Sequence, residues 1–550
     1  MKISRVATAV LIAAISLTIV RAQDAPAGAE SARDESQRAL AAYIAATAEE
    51  RRAIRPKLLA LGTDGLRKAM TGLAFEKPAT TGIARFMSLC PDGHERPYWV
   101  YVPEKYDPAK SYPLVVNLHG GVSGMPLETE EFAPGLYALN AVLENLPDEW
   151  KENVILLGCS AGVPQTTEDA RWWRHGGQNN ILHMVREVRR AFNVDDDRIF
   201  VGGHSDGGSG AFALAQRRPD TFAGFFSLCG HPLVGFGDGV NVWMENLKGS
   251  RVYAVNGARD MLYPSAQMKL LLDQFRAAGA PVDTMFFENL THDITPVVGP
   301  QVQQIMNDRV HRQRRDRAPL QIDWTSDTPA TGRRAWLAID EVLALGNANS
   351  LGPNAAFKLP APRVLLGIRV YRDREAPTIE SVDDGTTAEA LGLKKDDVLL
   401  KIDDTGVETL AELQSALGAK KWGEEVKVTV RRGGKEETFA GRFPEFKETR
   451  PEFGPAARVN ATLTPGKVTL KVRDAGRVSV YVTPSMLLDG RLAVALAAKD
   501  GSEIVVRRPA PLAADAELVL DQFVSTFDRK DATIARIEID VARALGVERK

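Results

Sequence analysis

The hydrophobic pattern of this chain changes character several times along its length. After a basic start at Lys2 and Arg5, residues 6–20 form an unbroken apolar run that ends at Val20-Arg21-Ala22. This layout predicts a secretory signal peptide over residues 1–22, since the run is shorter than the ~20 apolar residues of a membrane-spanning helix and Arg21 closes it. Residues 23–80 then place Leu40, Tyr43 and Ile44, and after them Ile54, Leu58 and Leu59, at helical spacing. They predict a helical N-terminal segment, expected to be a stalk rather than a cap over a later site. From residue 84 short apolar runs alternate with helical stretches. Strands are predicted at 98–102, 114–118, 154–159, 199–202, 224–229, 251–256 and 284–288, with helices such as 181–192 and 208–217 between them. Such a series over 84–310 predicts an α/β domain with a doubly wound, mostly parallel sheet covered by helices.

Beyond His311 the alternation stops. Strand-like pieces at 320–324 and 335–342 precede a loop rich in Gly, Asn, Ala and Pro over 346–362. A compact unit follows over 363–443. Further strands are predicted at 468–472, 478–482 and 492–498, with turns at Pro465-Gly466 and Asp489-Gly490. The segment 318–345 is too short to fold alone and 458–541 lacks a clear start. The two are therefore expected to form one small all-β domain split by the inserted unit. Several domains suit a chain of 550 residues, because single cores stop growing near ~250–300 residues.

Composition changes this picture little. The chain is 44% hydrophobic and 25% charged with a formal net charge of -2, and no long block of one sign offers a surface to nucleic acid. No segment after the leader is apolar enough to span a bilayer. Cys90, Cys159 and Cys229 are too few for a disulfide framework, and the latter two, in apolar strand-like runs, are expected to be buried thiols. His94, His183, His231 and His311 show no metal-ligand spacing, so neither a metal nor another cofactor is expected.

The candidate chemistry centres on Gly203-His204-Ser205-Asp206-Gly207, placed directly after an apolar strand and before the small-residue helix start Gly208-Ser209-Gly210. This fits the nucleophile elbow G-x-S-x-G, whose glycines allow a turn sharp enough to lift the serine hydroxyl clear. A serine needs a base and the base needs an acid, in the chain order Ser, Asp, His. Asp260 follows the strand at 251–256 and His292 follows the next strand. The rival acids are Asp283, which precedes its strand, and Asp293, which adjoins the candidate base. At the end of the strand 114–118, His119-Gly120-Gly121-Val122 forms a candidate oxyanion loop, in which an N–H of Gly121 or Val122 would act together with that of Asp206. Trp172, Trp173 and His175, with His119, are weaker candidates for lining a substrate pocket.

These motifs resemble the α/β-hydrolase superfamily. Tyr101-Val102-Pro103, Tyr112-Pro113-Leu114-Val115-Val116, His119-Gly120-Gly121 and Asp197-Arg198-Ile199 resemble its polyhydroxybutyrate depolymerase and feruloyl or acetyl-xylan esterase group. The unit 363–443 resembles a PDZ domain of bacterial periplasmic type. The resemblance rests on Leu365-Leu366-Gly367-Ile368, Ala388-Glu389-Ala390-Leu391-Gly392-Leu393, Asp396-Asp397-Val398-Leu399-Leu400-Lys401-Ile402 and residues 426–434. It implies that Leu365, Leu366, Gly367 and Ile368 form a loop for a peptide C-terminus. The expected function is an exported, periplasmic or secreted serine esterase with Ser205, His292 and Asp260 as triad. A peptidase with the same triad and a non-catalytic peptide-binding scaffold are the alternatives.

Overall fold

A computed structural model describes residues 34–122, 133–161, 170–292, 295–346, 349–352, 354, 358, 361, 364–371, 373–447 and 453–547. The signal-peptide expectation and Asp293 lie outside these residues. Among the described residues no helix is long and apolar enough to cross a membrane.

Eight strands form one sheet: β1 (Gly82–Leu89), β2 (Glu95–Val102), β3 (Tyr112–Leu118), β4 (Ile155–Cys159), β5 (Val194–His204), β6 (Gly224–Leu228), β7 (Val252–Gly257) and β8 (Val282–Phe287). Their order is β1-β2-β4-β3-β5-β6-β7-β8, with β2 antiparallel to both neighbours and all later pairs parallel. Strands covered on both faces need apolar residues at successive positions, and every residue of β3, β4 and β7 is buried. Because parallel strands require crossovers, their carboxyl ends gather at one edge, and there β3, β5, β7 and β8 deliver the candidate site.

Three N-terminal helices, α1 (Glu35–Ala45), α2 (Ala48–Leu59) and α3 (Gly62–Thr71), are not a stalk. Leu40, Tyr43, Leu58, Leu66 and Met70 share a core with Val519, Leu520, Phe523 and Phe527 of a C-terminal helix, Ala516–Thr526, and of the residue that caps it. Arg55 of α2 ties the group with bonds to Asp521 (2.7 Å) and Glu517 (2.8 Å). A stalk exposes its apolar stripe; this one is covered.

Strands from both sides of the PDZ unit pair with one another. Gln321–Ser326 lies antiparallel to Ala457–Thr464 in a five-stranded sheet, and Leu337–Val342 lies antiparallel to Ala475–Val482 in a four-stranded one. Trp324, Trp336, Leu337, Val459, Leu470, Val480 and Leu496 fill the core they share. Residues 357–450 form a separate compact unit. Within it Val364, Leu366, Ile379, Leu399, Val428 and Phe443 make a core of their own, and the helix Leu410–Gly418 carries a capping box from Thr409 and Glu412.

Candidate functional site

The turn at Ser205, the candidate nucleophile elbow, is strained. Ser205 stands between β5 and the helix Asp206–Arg217 with φ 58 and ψ -121, a region that costs a non-glycine residue about 1–3 kcal/mol and persists only when its surroundings fix it. They do: the Ser205 N–H donates to the Leu228 carbonyl at 2.8 Å, and the helix begins with Ser209 N–H on the Ser205 carbonyl at 3.0 Å. Gly203 and Gly207 are required because a Cβ on either would drive into the carbonyl oxygen of Leu118 at the end of β3.

Two neighbouring strand ends bring an acid and an imidazole to this serine. His292 Nε2 lies 2.8 Å from Ser205 Oγ, and His292 Nδ1 lies 2.8 Å from Asp260 Oδ2. The other carboxylate oxygen of Asp260 accepts the N–H groups of Leu262 (2.8 Å) and Tyr263 (2.9 Å), so a buried charge is matched by donors. The loops after β7 and β8 are stitched together by Arg259 N–H on the Leu290 carbonyl at 2.8 Å. Asp283 is elsewhere: its carboxylate is 61% exposed and paired with Arg309 at 2.8 Å.

The loop after β3 is held against Ser205 by His119. The Ala161 N–H donates to His119 Nε2 at 3.1 Å, which makes that nitrogen the acceptor; Nδ1 therefore carries the proton and donates to the Gly120 carbonyl at 2.8 Å. Burial pushes the His119 pKa down to about 4, opposed by the bond to Gly120, so the ring stays neutral. A Cβ on Gly120 would sit 3.8 Å from Ser205 Oγ, which shows how closely this backbone approaches that hydroxyl. Gly121 follows with φ +72, and Val122 is half-buried beside it. Asp206 occupies the first position of the helix, where backbone N–H groups lack helical partners.

The expectation that His119 and Trp172 line a pocket is corrected. Both are buried, and the Trp172 indole N–H donates to the His119 carbonyl at 2.9 Å while its Cβ packs where only Gly210 fits. They brace the loop. Trp173 donates to Asp238 at 2.6 Å and borders a small cavity with Ser209, Gln216 and His231. His175 begins a helix, His175–Ala191, where it bonds Asn179 at 3.0 Å.

Sequence reasoning missed four neighbours of the site. His204 Nε2 donates to the His292 carbonyl at 2.7 Å and so holds the backbone of the candidate base. The Tyr263 ring lies edge-on to His292 at 5.5 Å, and its hydroxyl pKa is pushed up to about 12, first by burial and then by the charge of Asp206. His231 lies 5.0 Å from the Tyr263 ring, and its Nδ1 accepts from the Leu233 N–H. Cys229, at the end of β6, offers a sulfur within 4.8 Å of ligand atoms of both Asp260 and His292; among the described residues these three are the one cluster able to hold a metal ion. The motif H-S-D-G hinted at His204 alone. The others converge from separate strand ends.

Behind the elbow, the start of β5 carries three aspartates whose partners come from far along the chain. Arg529 and Arg189 each approach Asp196 at 3.1 Å, Lys530 bonds Asp195 at 2.7 Å and Asp197 at 2.9 Å, and Arg317 joins Asp197 (2.5 Å) to Asp528 (3.0 Å). Arg315 also pairs with Asp528. Burial opposes ionisation of Asp528, yet Arg315, Arg317 and Arg189 hold its carboxyl below the usual range.

In the PDZ unit the loop residues Leu365 to Ile368 enter the edge strand Ile368–Val370. Gly367 has φ +85, Leu366 is buried with its carbonyl accepting from Ala388 N–H at 2.8 Å, and Leu365 is 75% exposed.

Residues 92–278 match the family model described as putative esterase, and residues 364–440 match that of the PDZ domain. The comparison with curated proteins found no match. Among solved structures the chain is similar to a thermostable esterase, with 21% identity and a TM-score of 0.35 over 42% of this chain and 63% of that one. It is also similar to a putative dipeptidyl aminopeptidase IV from Bacteroides ovatus, with 16% identity and a TM-score of 0.33 over 44% of this chain and 37% of that one. A third is S-formylglutathione hydrolase from Staphylococcus aureus, with 16% identity and a TM-score of 0.31 over 42% of this chain and 98% of that one. The chain thus spans less than two thirds of the first two. The esterase match thus falls on the segment that runs from the third residue before β2 through β7, and the PDZ match falls within the separate unit 357–450.

Proposed function

We propose that this protein is an exported serine hydrolase that cleaves carboxylic esters through an acyl-enzyme, with Ser205 as nucleophile, His292 as general base and Asp260 as the group that orients it. One observation carries the reading: the unbroken hydrogen-bond chain from Asp260 through His292 to Ser205, set on a strained elbow beside a glycine loop. Ser205 Oγ attacks the ester carbonyl while its proton passes to His292 Nε2. The imidazolium that results is stabilised by the Asp260 carboxylate and returns the proton to the departing alkoxide. The N–H groups of Asp206 and of Gly121 or Val122 face the developing oxyanion; one such donor typically contributes about 10²- to 10³-fold in rate. Water, activated by the same histidine, then frees the acid. None of these steps calls on a cofactor. The PDZ unit would hold a peptide terminus or a partner at Leu365, Leu366, Gly367 and Ile368. The export part of the proposal rests on residues 1–22 alone.

The experiment pairs a fluorophosphonate probe with a panel of p-nitrophenyl esters and peptide anilides. Wild-type protein should be labelled and should cleave esters faster than anilides, while Ser205→Ala should do neither and keep its fold. Equal labelling of both proteins would refute the nucleophile; faster anilide cleavage would move the protein to the peptidase reading.

A further inference from the structure

We propose that Cys229, Asp260 and His292 together form an inhibitory site for a thiophilic divalent cation, for which Zn²⁺ is the natural probe. The inference rests on the triad reading above and adds a means of switching it off.

The geometry is unusual for a hydrolase that needs no metal. Cys229 is the residue after β6, and its backbone stands in the left-handed region with φ 46, a conformation uncommon for any side chain but glycine. The turn is fixed by its N–H on the Val255 carbonyl at 2.7 Å, and it follows Leu228, whose carbonyl anchors Ser205. The result places a thiol at the inner side of the acid-base pair. Sulfur, imidazole nitrogen and carboxylate oxygen all lie within 4.8 Å of one another. These are the three donor types that Zn²⁺ takes, at ~2.3 Å for sulfur and ~2.0–2.2 Å for nitrogen and oxygen, so that tetrahedral ligands sit roughly 3.3–3.7 Å apart. The histidine and aspartate, hydrogen-bonded at 2.8 Å, would part by about half an ångström to admit the ion, and a shift of the thiol by about one ångström would complete the set. The His292 side chain is 22% exposed, while Asp260 and Cys229 are buried behind it. Hard cations such as Mg²⁺ are excluded by a donor set with one sulfur and one nitrogen.

Binding blocks catalysis. The ion takes Nδ1, the nitrogen that faces Asp260, in place of the shared proton, and the ring proton moves to Nε2, where it removes the lone pair that would accept from Ser205. The thiol loses one proton to solvent, the sulfur becomes a thiolate ligand, and the imidazole remains neutral.

Three measurements on the full-length protein test this. Zn²⁺ should abolish hydrolysis of p-nitrophenyl acetate, and a chelator should restore it. Cys229→Ala should keep kcat/KM within about threefold while raising the half-inhibiting Zn²⁺ concentration at least about tenfold, the loss expected for a ligand-level change. If Cys229→Ala does not fold, Cys229→Ser keeps the side-chain size and replaces soft sulfur by hard oxygen. Equal inhibition of wild type and variant overturns the proposal. The second arm needs no activity: Co²⁺ added to Ser205→Ala protein should give a thiolate-to-cobalt absorption band at one ion per chain, absent from Ser205→Ala/Cys229→Ala. No band overturns the site. A band in a protein whose wild type never reacts with fluorophosphonate would leave the ligand trio standing and remove the triad reading instead.

Discussion

Replacing Asp260 by asparagine isolates what the carboxylate does, because most of its bonds survive. The retained carbonyl oxygen of Asp260→Asn still accepts the N–H groups of Leu262 and Tyr263, now at 2.8 and 2.9 Å, so the loop after β7 keeps its shape. What changes is the oxygen 2.8 Å from His292 Nδ1, which becomes an NH₂ group. Two donors cannot face each other, so Nδ1 gives up its proton and turns acceptor. The proton then resides on Nε2, 2.8 Å from Ser205 Oγ, where a base was needed. The serine loses its proton acceptor, and the imidazolium of the transition state loses its counter-charge. A change of this kind lowers kcat by about 10⁴, or about 5.5 kcal/mol of barrier at ~1.36 kcal/mol per tenfold. Steady-state hydrolysis of p-nitrophenyl acetate measures it, with thermal unfolding as the control for fold. Asp283→Asn, at an exposed carboxylate paired with Arg309, should stay within about twofold of wild type. A kcat for Asp260→Asn within tenfold of wild type, or equal losses in the two variants, would refute the reasoning.

Acid should loosen the site through His119. Its folded-state pKa of about 4 lies below the ordinary 6.5, so between those values the unfolded chain takes up a proton that the folded chain refuses; stability is therefore intact above pH 6.5 and falls as the pH drops towards 4, by up to about 3 kcal/mol, measurable by urea unfolding at stepped pH. His119→Asn should remove part of that slope. Asp528→Ala should destabilise the protein by about 3–5 kcal/mol in chemical denaturation, since it takes from the half-buried Arg315 its paired carboxylate and leaves Arg317 with Asp197 alone, and Asp283→Ala should cost under about 1 kcal/mol. Excision of residues 357–450, with a flexible linker in their place, should preserve folding and activity on small esters. Truncation after Val310 should yield insoluble protein, because it removes Arg315, Arg317, Asp528, Arg529 and Lys530 from the aspartates of β5.

Where a residue's role is set by its immediate chain neighbours, the sequence was legible. Apolar runs such as Leu114 to Leu118 reveal buried strands without reference to anything distant, and the elbow shows as a short local pattern even though the group that crowds Gly203 and Gly207 is the Leu118 carbonyl of β3. His119 and Trp172 read differently in sequence, as polar-tipped side chains beside a site, because burial depends on packing at Gly210 that no local pattern displays. The helix Ala516–Thr526 falls inside the span 458–541 that was expected to be all β. Its stripe of Val519, Leu520, Phe523 and Phe527 has helical spacing, but its partner stripe lies on the N-terminal helices. Cys229 and Tyr263 approach His292 only because β6, β7 and β8 end side by side, a fact of sheet order and not of motif.

The clasp between Arg529 and Asp196 joins groups 333 residues apart in the chain. On a ribosome, which adds roughly 5–20 residues each second, the strand leading to Ser205 is complete long before its later counter-charges exist. Until they emerge, Asp196 has only Arg189 to neutralise it, and the apolar stripe of the N-terminal helices has no lid. The domain built on the eight-stranded sheet must wait, incomplete, for the end of its own synthesis. A message cut short before codon 528 would then give neither a weakened enzyme nor a competing one, but a chain unable to close, marked for degradation by its own exposed surface.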